Sequence, residues 1–261
     1  MKLWNEYCWN RTTIGTLALQ HRRSIEWIRK ELRLVKIHQP PVFPSDVVVV
    51  ADCVFFGRTY GYLVLRDPHN RRNLYWQKVY TETLADYQRA RQNLEDQGFQ
   101  FKAIVIDGRP GVRDVFSDIP VQMCHFHQKA IINRYLTRNP KLEAGLELRK
   151  IVMTLCHTKE MLFSEQLQQW HKQWQCFLKE RTVNPDTKRW HYTHKRLRSA
   201  YRSLKNNLPY LFTYHRYPEL NIPNTTNSLD GSFAHLKDCV RIHRGLKNDL
   251  KTKLIIAFLS K

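Results

Sequence analysis

Two aspartates follow runs of apolar residues, where an ionised side chain has no packing purpose. Asp52 comes after Val47-Val48-Val49-Val50-Ala51, and Asp107 ends Phe101-Lys102-Ala103-Ile104-Val105-Ile106. Both runs suit strands buried on two faces, and ligands of open α/β sheets gather at the ends of such strands. Carboxylates brought together there are hard oxygen donors, suited to Mg2+ or Mn2+. Two such ions, ~3.5–4 Å apart, activate an attacking oxygen and stabilise the leaving oxygen of a phosphodiester. Taken singly, each acid is also explained as a turn cap, and Asp107-Gly108 is a common turn dipeptide. A third donor is available in the segment from Asn224 to Lys237, which opens with capping residues and continues as a helix. On it Asn227, Asp230 and Ala234 share one face, while Leu229, Phe233 and Leu236 would seat the helix on a sheet. Asp230 could then project inward with Asn227 as a polar assistant; an Asp in an early turn also simply suits the helix dipole.

The elements that must position these acids can be read from periodicity. Ile14, Leu17 and Ala18 mark one short helix, and Ser24 caps a second carrying Ile25, Ile28 and Leu32. Two short helices around His21-Arg22-Arg23 fit either a DNA-reading helix-turn-helix or a plain helical hairpin. In the first case Arg22, Arg23, Arg29, Lys30 and Arg33 would face phosphates or bases. Pro40-Pro41 and Pro44 then break the chain. Strands are expected at 47–52, 60–65 and 74–80, with Asp67-Pro68-His69-Asn70 as the turn between the last two. A helix over 84–97 stopped by Gly98, a strand over 101–107, and a short helix end and fifth strand within 115–126 follow. This succession predicts an α/β arrangement around a mixed sheet, whereas residues 136–261 read as almost wholly helical.

Charge narrows the partner. The chain carries 43 Lys and Arg against 23 Asp and Glu, a formal charge of +20 over 261 residues. The cations are spread along its whole length, which points to an extended polyanion, with nucleic acid first. Between Asp186 and Asn206, Arg198, Arg202 and Lys205 recur on one helical face opposite Leu197, Tyr201 and Leu204. Arg189, Lys195 and Arg196 add charge, and Trp190, His191, Tyr192 and His194 offer stacking surfaces for unpaired bases. Trp190 reads equally as a core residue, and Trp170 and Trp174 read as core. At 42% hydrophobic residues the chain can bury a core, so wholesale disorder is excluded. No apolar run approaches the ~18 residues of a membrane span. The N-terminus lacks a secretory pattern, and six scattered cysteines read as reduced cytoplasmic thiols. Cys124 and His127 form a C-x-x-H pair without the four ligands that structural zinc requires. No glycine-rich phosphate loop is present, so nucleoside triphosphate hydrolysis has no support.

In order along the chain, these residues resemble a family. Asp52 after its apolar run, Ile106-Asp107-Gly108, Cys124-His125-Phe126-His127 and Thr225-Thr226-Asn227-Ser228-Leu229-Asp230-Gly231 look like the Mutator-type DDE transposases of bacterial insertion sequences, in a short variant. The tracts 190–201 and 241–246 extend the likeness over nearly the whole chain. The resemblance implies an RNase H-like mixed-sheet core, begun over residues 45–138 and completed by helices bearing the third acid over 223–261. It further implies a helix-turn-helix over 1–39 and an all-helical insertion over 139–222. Asp52, Asp107 and Asp230 become the catalytic, metal-holding triad with Mg2+ or Mn2+, two ions in all, and zinc is not expected. Cys124, His127 and Asn227 become accessory residues, and Arg241 and Arg244 join the DNA contacts. The implied activity is metal-dependent cleavage at transposon ends and strand transfer into target DNA. The partners are double-stranded DNA and further copies of the chain on it, at the bacterial nucleoid, with no membrane. Two departures stand out: no Cys-rich zinc ribbon precedes residue 10, and Asp230 occupies a position where the family commonly has Glu. An Asp is one methylene shorter, so such a site must close by ~1.5 Å, about one C–C bond. An RNase H-like nuclease or resolvase without strand transfer, and a catalytically inactive DNA-binding relic, are the alternative readings.

Overall fold

In the computed structural model, which describes residues 2–243 and 246–260, the chain is α/β around a five-stranded mixed sheet. Helices α1 (Lys2–Cys8), α2 (Ile14–His21) and α3 (Ile25–Leu34) precede strands β1 (Asp46–Phe56), β2 (Tyr60–Asp67) and β3 (Arg72–Val79). Helix α4 (Leu84–Asp96) leads to β4 (Gln100–Ile106), and α5 (Val112–Val115) to β5 (Val121–Met123). Then come α6 (His125–Leu136), α7 (Glu143–Met153) and α8 (Glu160–Lys179). A hairpin of β6 (Arg181–Val183) and β7 (Trp190–Tyr192) separates α8 from α9 (Lys195–Leu211). Helices α10 (Thr213–Arg216), α11 (Asn227–Ile242) and α12 (Asn248–Leu259) complete the order. Among the described residues no helix is long and apolar enough to cross a membrane.

The sheet runs β3-β2-β1-β4-β5. β2 and β3 are antiparallel, as a tight connection allows, while β4 is parallel to β1 and to β5. The β2–β3 turn forms because Asp67 Oδ1 accepts the backbone N–H groups of His69 and Asn70, at 2.9 and 3.2 Å. From β1 the order runs outward through β2 and β3 on one side and through β4 and β5 on the other. The β1–β4 junction is therefore the place where the topology reverses.

Two compact units divide the chain. The first comprises Met1–Ser45, Asp52–Phe99 and Asn227–Lys261. In it Leu17, Ile28 and Leu32 from α2 and α3 bury against Trp4 and Tyr7 of α1 and Leu250 and Leu254 of α12. Ser24 caps α3 by accepting the Trp27 N–H at 3.1 Å, as its sequence position predicts. Three residues, Arg22 to Ser24, separate the two helices, and Arg22 turns the chain in a left-handed conformation with φ 50°. At its other end, α3 presents carbonyls of Leu32 and Arg33 to the Lys253 ammonium, at 2.9 and 2.6 Å.

The second unit comprises Asp46–Ala51 and Gln100–Thr226. Its helices α6 to α9 share one apolar core that includes Met123 of β5, Leu148, Phe163, Trp170 and Leu204. A buried polar seam joins β5 to the end of α9. Gln122 donates to the carbonyls of Met123 and Leu211, at 2.7 and 2.9 Å, and accepts the Tyr214 N–H at 3.0 Å.

The hairpin corrects the expectation of an all-helical region. Thr182, Val183, Trp190 and Tyr192 favour extended backbone. Asn184 turns the chain between them, its Oδ1 accepting the N–H groups of Asp186 and Thr187 at 2.9 Å each.

Candidate functional site

Strand β1 pairs with β4 through Val50 opposite Val105, and each of these residues is followed two positions later by one of the aspartates. Asp107 stands just past the end of β4, as expected. Asp52 does not end its strand. β1 continues to Phe56, because Cys53-Val54-Phe55-Phe56 is itself β-favouring and Val54 is buried. The Asp52 carboxylate accepts the N–H of Cys53 at 2.7 Å. Asp107 accepts the N–H of Arg109 at 2.9 Å, closing a turn over Gly108. That glycine is required: its φ is +86°, and a Cβ there would lie 2.4 Å from the Met123 methyl.

Helix α11 is seated by Leu229, Phe233, Leu236 and Cys239, all buried. Asp230 is half-buried, whereas Asn227 and Ala234, on its face, are exposed. Within the first unit, the carboxylate oxygens of Asp52 and Asp230 lie within 4.8 Å of each other. Two half-buried carboxylates at this separation fit one hard divalent cation, which takes oxygen ligands at about 2.0–2.6 Å. Asp107 belongs to the second unit.

In that second unit the C-x-x-H pair converges on Thr226. The Thr226 N–H donates to Cys124 Sγ at 3.3 Å, and its hydroxyl lies 3.3 Å from the same sulfur and 3.5 Å from His127 Nδ1. Cys124 in turn donates its backbone N–H to Ile106, the residue before Asp107, at 2.8 Å. The pair thus anchors the residue immediately preceding α11, a relation between distant parts of the chain that no spacing announced. His125, between them, is fully buried and points its Nε2 at the Leu211 carbonyl at 2.6 Å. Burial pushes its pKa down to about 4, so the ring is neutral and this nitrogen donates.

The predicted DNA contacts differ in how far they are already occupied. Arg22 and Lys30 are exposed, and the exposed Arg23 lies over the Trp27 ring at 5.3 Å. Arg29 pairs with Glu26 at 3.3 Å, Arg241 with Asp238 at 3.1 Å and Arg33 with Asp249 of α12 at 2.6 Å. Arg189, Lys195, Arg196 and Arg202 are exposed. Trp190 is 52% exposed on β7, with the Arg181 guanidinium 4.1 Å from its ring centroid. It is a surface residue, not a core one, whereas Trp170 is buried. Arg198 is half-buried and fixed, donating to the Leu178 carbonyl at 2.6 Å. Arg244 lies outside the described residues. Sequence reasoning missed Arg181 and the α8 residues Lys179 and His171, which acquire meaning only from what packs beside them. No family model matches the chain, and no curated protein matches it.

Proposed function

We propose that the chain is a DNA transposase with an RNase H-like core, cutting at the ends of its element and joining them to target DNA. The observation that carries this reading is the approach of the Asp52 and Asp230 carboxylates to within 4.8 Å, in a chain of charge +20. The strand order adds support: β1, which carries Asp52, pairs in parallel with β4, which Asp107 follows in the chain. Asp52, Asp107 and Asp230 hold Mg2+ or Mn2+, and Cys124 and His127 assist by anchoring Thr226. Two such ions, when bound, supply an activated oxygen and charge neutralisation at phosphorus. The residues around them position: α2 and α3 recognise terminal inverted repeats, and exposed cations of the helical region hold the cut ends. Joining two ends requires at least two copies of the chain on the DNA.

The test is cleavage of labelled DNA carrying the element's own ends, in Mn2+, beside Asp52→Ala and Asp107→Asn. Boundary cleavage by the natural chain that both variants lose is the expected result. Full metal-dependent cleavage by Asp107→Asn would remove that residue from the site. Tight binding without cleavage by any of the three would replace the enzyme with an inactive DNA-binding protein.

A further inference from the structure

A cleft of about 300 Å³ opens between α8 and α9, within the second unit. Lys179, the last residue of α8, stands on one wall; Arg198, Arg202 and Lys205 form a single stripe of α9 on the other. Among the described residues no carboxylate lines the cleft, and none of the four cations is ion-paired. The nearest acid in sequence, Glu180, is turned away to His194 at 2.9 Å.

The walls are stiff. His171 stacks on Tyr201 with ring centroids 4.4 Å apart and planes 6° from parallel, and Tyr201 also meets Trp170 at 5.5 Å. The Arg198 guanidinium lies 3.5 Å from the Tyr192 ring centroid while donating to the Leu178 carbonyl, which leaves the rest of its fork of N–H groups for a ligand. With these rings engaged by one another and by arginine, they serve as walls rather than as stacking platforms for bases. Burial, then the charges of Lys205 and Lys179, lower the proton affinity of His171, a sign of the positive field inside the cleft.

Four like charges gathered without counter-ions repel one another, and an anionic ligand offsets that repulsion. From Arg198 to Lys205 the stripe rises roughly 10 Å along the helix, longer than one phosphate group. A DNA strand offers a phosphate every ~3.4 Å of duplex axis, a row on this scale. We propose that the α8–α9 cleft grips consecutive backbone phosphates of double-stranded DNA, without reading sequence. The proposal rests on the reading of the chain as DNA-binding, but not on its acids.

Equilibrium binding of the full chain to a labelled mixed-sequence duplex, in chelator and over a series of salt concentrations, tests it. The double variant Arg202→Gln/Lys205→Gln removes two exposed cations of the cleft. Lys150→Gln/Lys172→Gln removes the same charge from exposed positions outside it. The cleft variant is expected to bind on the order of 10–100-fold more weakly near 0.1 M salt, with the slope of log K against log salt reduced by roughly 1.8. The comparison variant is expected to stay within about twofold. Lys179→Gln, on the opposite wall, checks the result independently and should lower the slope by roughly 0.9. Equal losses in the two double variants would overturn the proposal, as would a loss confined to single-stranded DNA. So would thermal stabilisation by inorganic phosphate that the cleft variant loses while duplex binding is unchanged, since the ligand would then be a small phosphate. Binding measured in chelator needs no metal at the acids, so a failure of the catalytic reading leaves this outcome separately legible.

Discussion

Replacing Asp230 with Asn should abolish the response of the protein's stability to divalent metal. The Asp52 and Asp230 carboxylate oxygens lie within 4.8 Å of each other, close enough to share one cation. Two unit charges at that distance repel by about 3.5 kcal/mol at an effective dielectric of about 20, and a divalent cation between them turns repulsion into attraction. Asn keeps the shape of Asp and removes one charge, so the cation loses a charged ligand. In Mn2+ at about 100 times its dissociation constant, the natural chain should gain about 2.7 kcal/mol over its value in chelator, and the variant essentially nothing. At roughly 2–4 °C per kcal/mol for a chain of this size, the unfolding temperature of the natural chain should rise by about 5–11 °C in Mn2+ while that of the variant stays put. Thermal unfolding followed by tryptophan fluorescence, with and without Mn2+, reads the difference. A variant that gains as much from Mn2+ as the natural chain would refute the reasoning.

Three further outcomes follow from single residues. His125 has a pKa pushed down from 6.5 to about 4 by burial, so between those values the unfolded chain binds more protons than the fold does. Its contribution is complete above pH 6.5 and is lost as the pH falls towards 4; from pH 7 to 5 the loss is about 2 kcal/mol. His125→Phe should show a pH dependence shallower by that amount in urea unfolding, and parallel dependences would contradict the assignment. Gly108→Ala should cost on the order of 1–2 kcal/mol from the left-handed backbone, with more if Met123 cannot move its methyl aside. Mn2+-dependent cleavage, if the proposed activity holds, should fall in the same variant because the turn carrying Asp107 is displaced. Thr226→Val removes the hydroxyl between Cys124 and His127 and should destabilise the fold by about 1 kcal/mol, read from the urea midpoint.

Local order was legible in the sequence. Alternation, apolar runs and capping residues act over a few positions, so the strands around 47–52 and 101–107, the Ser24 cap with its helix and the helix over 84–97 could be read directly. The mixed α/β sheet followed from their succession, and the two acids after apolar runs could be singled out because burial offers them no packing role. Other features had no local signature. The 181–192 hairpin lies in a basic, helix-rich stretch, and its short β-favouring runs carry weight only where an Asn184 turn lets them pair. The extension of β1 beyond Asp52 rests on the burial of Val54, which depends on what packs over it. Only the tertiary structure brought Asp230 to Asp52, set Thr226 between Cys124 and His127, and faced Lys179 of α8 towards the cationic stripe of α9. Each of these joins elements far apart in the chain. Composition and spacing specify which residues can pair with water, metal or phosphate, but the partner each one meets is set by how helices and strands bury their apolar faces against one another.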